Sequence, residues 1–209
     1  MYNLAEIILQ KGIDMKKNLL ASLIVAGFVL LGTGCSTMHM GWTAMTGQSK
    51  LDDGAMKAYD DMFTSVVEYG DPARAMMNEY EVQEDVSNEE VIESIKALAE
   101  EYNMRVVGDT KMFTIPDAKP DEVKFVENVS LCSLYIAKKF LNHSRYFGGF
   151  MPCRIMLVEY GNGKRYLITM DLTLAIHGGY PLPEEMLKLA TQVDTAMREI
   201  PKRAAEADF

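Results

Sequence analysis

Residues 153–170 read CRIMLVEYGNGKRYLITM, and they form the clearest structural pattern in the chain. Two runs of mostly apolar and aromatic residues, 153–160 and 164–170, flank a Gly-Asn-Gly centre. Glycine and asparagine adopt the positive φ angles that tight hairpin turns require, and apolar runs on both sides of such a centre are typical of paired strands. The stretch therefore predicts a β-hairpin of two antiparallel strands.

Helices are predicted on both sides of this hairpin. On the N-terminal side, Ser87 and Glu90 have the spacing of a capping box, and apolar residues recur at helical spacing after them. On the C-terminal side, Pro183 opens a second amphipathic helix, and Pro201 is expected to kink or end it. Both helices have one apolar face, so each is expected to pack against the sheet.

Three more strands are predicted upstream of the hairpin, at 77–82, 104–107 and 124–131. A proline-containing acidic loop is predicted at 113–123, and a short helix at 135–141. The order is then strand, helix, four strands with a short helical insertion, and helix (β-α-β(4)-α). Antiparallel strands backed by helices are typical of a single α+β domain with a mainly antiparallel sheet.

The N-terminal region has the pattern of a secretory signal. From Met15 onward, two lysines precede the apolar run 19–31, and small residues then lead to Cys35. That order is typical of a cleavable signal peptide, and the apolar run is shorter than the roughly 20 residues that span a bilayer. We expect translation to start at Met15 and residues 1–34 to be absent from the mature protein.

The small residues ending in Cys35 resemble the bacterial lipobox, which implies that this cysteine carries the lipid anchor. Gly32 stands where the lipobox usually has leucine. A plain signal peptide with an incidental cysteine and a stably inserted helix are the alternatives. Ser36, in place of aspartate after the cysteine, favours the outer membrane over the inner one. The expected location is the bacterial cell envelope, facing the periplasm and attached to the membrane by lipid.

The segment between the anchor and the domain is short. Residues 36–50 are small, polar and rich in methionine with no sustained period, which predicts a tether. A helix is expected at 51–69. The expected organisation is therefore a lipid-anchored tether with an N-terminal helix at 35–72 and a globular domain at 73–209.

The charge balance excludes one class of partner. The chain has 30 acidic and 21 basic residues and a net charge of −9. Nucleic-acid binding depends on clustered lysine and arginine, so no nucleic-acid partner is expected. The acidic balance also gives no reason to expect binding to anionic lipid other than through the acyl anchor.

The region 73–209 resembles the family called domain of unknown function 302. The resemblance rests on FMPCRI at 150–155, TMD at 169–171, HGGYPLP at 177–183 and RAA at 203–205. It implies a compact α+β fold of the kind seen in the halves of TATA-binding protein, often dimeric. This likeness of fold carries no DNA-binding function. No activity is established for the family.

The candidate chemistry centres on Cys132 and Cys153. In an oxidising envelope compartment an even pair of cysteines indicates a disulfide first, and antiparallel strands would bring both residues to one sheet edge. Two other interpretations stay open. The cysteines can be separate inert thiols, or they can form a redox-active or soft-metal site, for which Cu(I) is the suited ion. The spacing matches no standard metal motif, so no metal or other cofactor is expected.

A candidate ligand site comprises Met151, Arg154, Met170, Asp171 and His177. His177 lies in a Gly-Gly turn that a ligand can approach, although an ordinary turn histidine is the favoured interpretation. Asp171 is expected to orient Arg154 or to cap the following turn, and a structural ion pair is favoured over catalysis. No phosphate loop, nucleophile elbow or zinc-protease helix occurs.

These patterns favour a non-enzymatic envelope lipoprotein whose domain binds a protein partner or a small ligand, with a homodimer as the expected assembly. The alternative is a thiol redox or soft-metal and sulfur-handling protein that uses Cys132 and Cys153.

Overall fold

The structure is a computed structural model that describes the backbone of residues 35–208 and side chains from residue 38 to residue 208. The expected signal peptide at 1–34 and the side chain of Cys35 lie outside the described residues. The chain divides into two compact units, Met1–Ser49 and Lys50–Phe209.

The described part of the first unit contains helix α1 (Cys35–Gly47), where the sequence predicts an irregular tether. Its apolar residues do not gather on one face, and periodicity is the pattern that predicts a surface helix. Trp42 is exposed, as are three methionines of this helix: Met38, Met40 and Met45.

The unit Lys50–Phe209 contains a five-stranded antiparallel sheet with strand order β1-β5-β4-β3-β2. The strands are β1 (Met77–Glu81), β2 (Arg105–Thr114), β3 (Val123–Cys132), β4 (Cys153–Tyr160) and β5 (Arg165–Met170). The predicted hairpin is confirmed, because β4 and β5 pair with Leu157 opposite Leu167. The α+β fold with an antiparallel sheet is confirmed with it.

Five helices complete the described part of this unit: α2 (Ala55–Tyr69), α3 (Asn88–Glu101), α4 (Leu134–His143), α5 (Thr173–His177) and α6 (Glu184–Ala204). The predicted capping box of α3 is present: the Glu90 N–H donates to Ser87 Oγ (3.2 Å), and the Ser87 N–H donates to Glu90 Oε2 (2.7 Å). Pro201 does not end α6, which continues to Ala204. Pro201 has no N–H to donate to the carbonyl four residues earlier, so this turn lacks one helical hydrogen bond although the helix continues past it.

The hydrophobic core lies between one face of the sheet and helices α3 and α6. Successive side chains of a strand point to opposite faces of the sheet, so every second side chain lies on this face. The largest fully buried side chains come from both layers: Leu131, Ile155, Leu157 and Leu167 from the sheet, and Ile95, Leu98 and Ile200 from the helices. On the other face Met156 and Ile168, which pair across β4 and β5, are only half-buried.

Strand β2 is longer than the four residues predicted at 104–107, and the predicted loop begins only after Thr114. Its pairing with β3 shifts register between Val106 and Gly108 and again between Lys111 and Phe113. Bulges of this kind break the two-residue alternation that identifies a strand in a sequence. Between residues 35 and 208 no helix is long and apolar enough to cross a membrane.

Candidate functional site

Arg154 and Met170, two of the predicted site residues, line one pocket at the end of the β4–β5 hairpin. The pocket has a volume of about 250 Å³. Its wall is rich in sulfur, and five sulfur-containing residues line it: Met77, Met156, Met170, Met197 and Cys153. Arg154 is exposed and is the one charged side chain among the described residues that line this pocket.

The strand register explains why the methionines meet. Met77 lies opposite Met170 across β1 and β5, and Met156 lies opposite Ile168 across β4 and β5. Side chains directly opposite or two residues apart on neighbouring strands share a face, so three thioethers project from the same side of the sheet. Strand β5 ends at Met170, and β1 and β4 begin at Met77 and Cys153, so the pocket lies at this end of the three strands.

A smaller cavity of about 70 Å³ adjoins the pocket. Met151 lines this cavity and not the pocket, although Phe150, Cys153 and Leu172 line both. The cavity is almost wholly apolar, and Phe147, which packs edge-on against Phe140 with ring centroids 5.0 Å apart, forms part of its wall. Cys153 therefore lies in the wall that the pocket and this apolar cavity share.

Asp171 does not pair with Arg154. Its Oδ1 accepts hydrogen bonds from the Thr173 N–H (2.7 Å) and from Arg198 Nη2 (3.1 Å). Burial opposes ionisation of Asp171, but the hydrogen bonds from Thr173 and the charge of Arg198 outweigh burial and lower the pKa of this carboxyl. Asp171 thus accepts a hydrogen bond from the first residue of α5 and pairs with Arg198 of α6, so it connects the two helices. It does not line the pocket.

His177 is held by the segment that precedes α2. Its Nδ1 lies 2.9 Å from Asp52 Oδ1, and the Asp52 N–H donates to the Gly179 carbonyl at 2.9 Å. The Tyr59 hydroxyl donates to the Gly178 carbonyl at 2.8 Å. The N–H of Gly54, and after it His177, lower the pKa of Asp52. His177 is therefore the last residue of α5 and not part of the Gly-Gly turn, its ring is held by Asp52, and it lines neither cavity.

Cys132 and Cys153 are both free thiols at the same end of two neighbouring antiparallel strands, β3 and β4. Leu131 lies opposite Cys153, so Cys132 is one residue out of register with it. Side chains alternate between faces, and this offset does not favour a disulfide in this arrangement. Burial raises the pKa of Cys153 to about 11, with a smaller contribution from Cys132, and burial also raises the pKa of Cys132.

The family model described as Domain of unknown function DUF302 matches residues 78–200. The chain belongs to the DUF302 family. A similar solved structure is the "uncharacterized conserved protein DUF302 from Bacillus stearothermophilus", which is 14% identical with a TM-score of 0.46. That alignment covers 62% of this chain and 98% of the other. No curated protein matches this chain in sequence.

The DUF302 pocket includes residues that the sequence pattern does not predict. Met77 and Met156 would follow from strand alternation once the register is known. Met197 comes from α6, and no local pattern connects it with the hairpin. Asp52 and Tyr59 likewise contact the loop at 177–179 only through the tertiary fold.

A second depression of the DUF302 domain, about 460 Å³, lies on the half-exposed face of the sheet. Its lining includes Glu79, Asp121, Lys164 and two tyrosines, Tyr160 and Tyr166, whose rings meet edge-on at 6.1 Å. It contains no predicted site residue and is more polar than the methionine-lined pocket. Within residues 38–208 no group of three or more His, Cys, Asp or Glu side chains is arranged to hold a metal ion.

Proposed function

We propose that this DUF302 protein is a lipid-anchored envelope protein whose domain binds a small, largely apolar anion in the methionine-lined pocket without converting it. The observation that carries the proposal is the combination of apolar walls with one cation, Arg154. Ligand pockets are typically apolar with a few polar groups that fix orientation. Among the described side chains, no carboxylate forms an ion pair with Arg154, so its charge is available to a ligand.

The size of the pocket limits the ligand. At roughly 30 Å³ for each non-hydrogen atom, the volume of water in the liquid, about 250 Å³ accommodates roughly eight such atoms. Methionine side chains are flexible and polarizable, and they adapt to irregular apolar ligands. Octanoate, a carboxylate with ten non-hydrogen atoms, has the required charge, and it exceeds this volume by about two atoms. With its acid group at Arg154, most of its chain would lie in the pocket and the last carbons would extend out of it.

The state of the other polar groups supports binding over catalysis. With a pKa of about 11, only about one Cys153 side chain in ten thousand is ionised at neutral pH. Because the thiolate and not the thiol is the nucleophile, Cys153 is a poor nucleophile at that pH. Asp171 is engaged by Thr173 and Arg198, and His177 by Asp52. These contacts leave the pocket with a cation and sulfur atoms but with no activated nucleophile.

Thermal unfolding with octanoate tests the ligand proposal. Octanoate at 100 times its dissociation constant should stabilise the fold by about 2.7 kcal/mol and raise Tm by about 5 to 10 °C. Octanol should have a smaller effect, and Arg154→Gln should remove most of the octanoate shift. Arg105→Gln, an exposed arginine on edge strand β2, is the matched control. An equal shift in both variants would contradict a role for Arg154.

The anchor has a separate test. Mass spectrometry of the mature protein from membranes should find an N-terminal peptide that begins at Cys35 and carries acyl chains. Cys35→Ser should accumulate as precursor and lose the modification. A mature protein beginning elsewhere, or an unmodified Cys35, would refute the lipoprotein assignment while leaving the ligand proposal intact.

A second candidate function is soft-metal or thiol redox chemistry, and the sulfur-rich wall of the pocket favours it. Thioether and thiolate ligands suit Cu(I), whose binding would displace the Cys153 proton. Titration of Cu(I) against a competing chelator under reductant tests this function. Stoichiometric binding that is lost in both Cys153→Ser and Met170→Leu would favour Cu(I) over octanoate as the ligand.

A further inference from the structure

Charge is distributed unevenly along this acidic chain. From residue 128 to residue 158 no aspartate or glutamate occurs, although the whole chain has 30 acidic residues against 21 basic ones. The same stretch contains four basic side chains: Lys138, Lys139, Arg145 and Arg154. Although the whole chain has a net charge of −9, the stretch 128–158 is therefore positively charged. This stretch includes α4 and the turn that follows it.

Helix α4 exposes apolar and basic side chains together. Leu134, Lys138 and Leu141 are spaced by four and three residues, so they lie on one face of the helix. Leu134 is 53% exposed and Leu141 44%, and Lys138 lies exposed between them. The helix packs inward through Phe140, which is buried. A surface helix of a water-soluble domain usually has polar residues where α4 has leucines.

The 3-10 turn after α4 (Arg145–Phe150) continues this surface with aromatic rings. Phe147 fixes the turn by packing against Phe140, and this contact leaves Tyr146 74% exposed and Phe150 42% exposed. The Arg145 guanidinium lies over the Tyr146 ring, 5.1 Å from its centroid. Tyr146 has a ring that is apolar at one end and polar at the other, and such rings are typical of the membrane–water interface.

Of the three lysine and arginine side chains in α4 and the turn that follows it, two make no ion pair with a described carboxylate. Lys139 pairs with Glu185 at the start of α6. For Lys138 and Arg145, no contact with a carboxylate occurs in the described part of the chain. Basic side chains around exposed leucine and aromatic residues match the chemistry of an anionic lipid surface, where apolar groups enter the headgroup layer and cations meet lipid phosphates.

We propose that residues 134–150, the membrane-contact segment, bind the surface of an anionic bilayer. The contact is independent of the acyl anchor proposed at Cys35. It would add an electrostatic and apolar attachment to the anchor and would hold the domain in a preferred orientation. The methionine-lined pocket adjoins the segment through Phe150, so a ligand would enter near the lipid surface.

Vesicle co-sedimentation tests the proposal without the anchor. The chain from Ser36 onward, which retains the whole compact unit Lys50–Phe209, is mixed with vesicles of phosphatidylcholine alone or with 30 mol% phosphatidylglycerol (a chosen composition, roughly that of an anionic leaflet). We expect binding to the anionic vesicles that salt weakens, with little binding to neutral ones. Each cation near an anionic surface contributes about fivefold, so Lys138→Gln with Arg145→Gln should reduce the partition coefficient roughly 25-fold.

A matched control removes the same charge at the opposite end of the sheet. Lys119 precedes β3 and Lys164 lies in the β4–β5 turn, whereas α4 follows the other end of β3. Lys119→Gln with Lys164→Gln should leave the partition coefficient within about twofold of the parent. Tyr146→Ser should also weaken binding, and an unchanged circular dichroism spectrum would show that this exposed substitution leaves the fold intact.

Two kinds of result would overturn the proposal. One is failure of the parent chain to bind anionic vesicles, or an equal loss in the control and test variants. The other is a dimer in sedimentation velocity that dissociates in the test variant, which would make this surface an interface between two copies of the chain. Neither result depends on lipidation of Cys35 or on octanoate binding, so each is distinguishable from failure of the proposed function.

Discussion

Replacing Asp171 should separate structural roles from ligand-binding roles at the end of the hairpin. Asp171→Ala removes the acceptor for the Thr173 N–H (2.7 Å) and the partner of Arg198 (3.1 Å). A charge-assisted hydrogen bond to a backbone N–H contributes about 1.5 kcal/mol, and a half-exposed ion pair only about 0.5 kcal/mol. We therefore expect Asp171→Ala to lower the free energy of unfolding by about 2 kcal/mol, with a fall in Tm of about 4 to 8 °C.

Asp171→Asn is the matched control, since its amide oxygen still accepts the Thr173 N–H while the charge is lost. It should cost only about 0.5 kcal/mol. The assay is thermal unfolding followed by circular dichroism, paired with the octanoate titration. Both variants should bind octanoate as the parent does. A structural role for Asp171 would be refuted if Asp171→Ala were as stable as the parent. A role outside the ligand site would be refuted if Asp171→Ala no longer bound octanoate.

The pH dependence of the same variants has a definite sign. The pKa of Asp171 in the folded protein is below its ordinary value of about 3.9, so the ionised carboxylate stabilises the fold above about pH 4. That contribution disappears as the pH falls through the lowered pKa. The stability difference between the parent and Asp171→Asn should therefore shrink below about pH 4. A difference that is constant down to pH 2 would contradict the ionised state of Asp171.

Three further predictions concern the core, the thiols and the assembly. Leu157→Ala, at a fully buried position in β4, should cost about 2 to 5 kcal/mol in denaturant unfolding, whereas Met156→Ala on the half-buried face should cost less. Cys153 should react slowly with a thiol reagent at pH 7 and faster as the pH approaches 11, while a pair that becomes reactive only after reduction would indicate the predicted disulfide with Cys132. Light scattering during size-exclusion chromatography should give twice the monomer mass if the expected homodimer forms, and a monomer mass would remove that expectation.

The hairpin and the main helices could be predicted from the sequence because the residues that determine them are close together in the chain. The Gly-Asn-Gly turn specifies β4 and β5, and the Ser87–Glu90 pair specifies the start of α3 through two local hydrogen bonds. Strand β2 is harder to predict, because bulges and an exposed, polar edge position remove the alternation.

The candidate site depends on contacts between distant residues, and this limits what the sequence shows. Asp52 meets His177 across 125 positions, and Asp171 meets Arg198 across 27. Met197 enters the pocket from α6 because that helix packs beside the end of β5. Of the five predicted ligand-site residues, Arg154 and Met170 share the pocket, since register places them on one face of neighbouring strands.

Methionine-methyl NMR during an octanoate titration tests whether the ligand binds in the methionine-lined pocket. With the methyl groups labelled, the resonances of Met77, Met156, Met170 and Met197 should shift together and follow a single one-site binding curve. The resonances of Met112, which is exposed on β2, and of Met186, which is buried in the core, should not shift. Pocket resonances that do not move, or equal shifts at Met112, would contradict the assignment of this pocket as the ligand site.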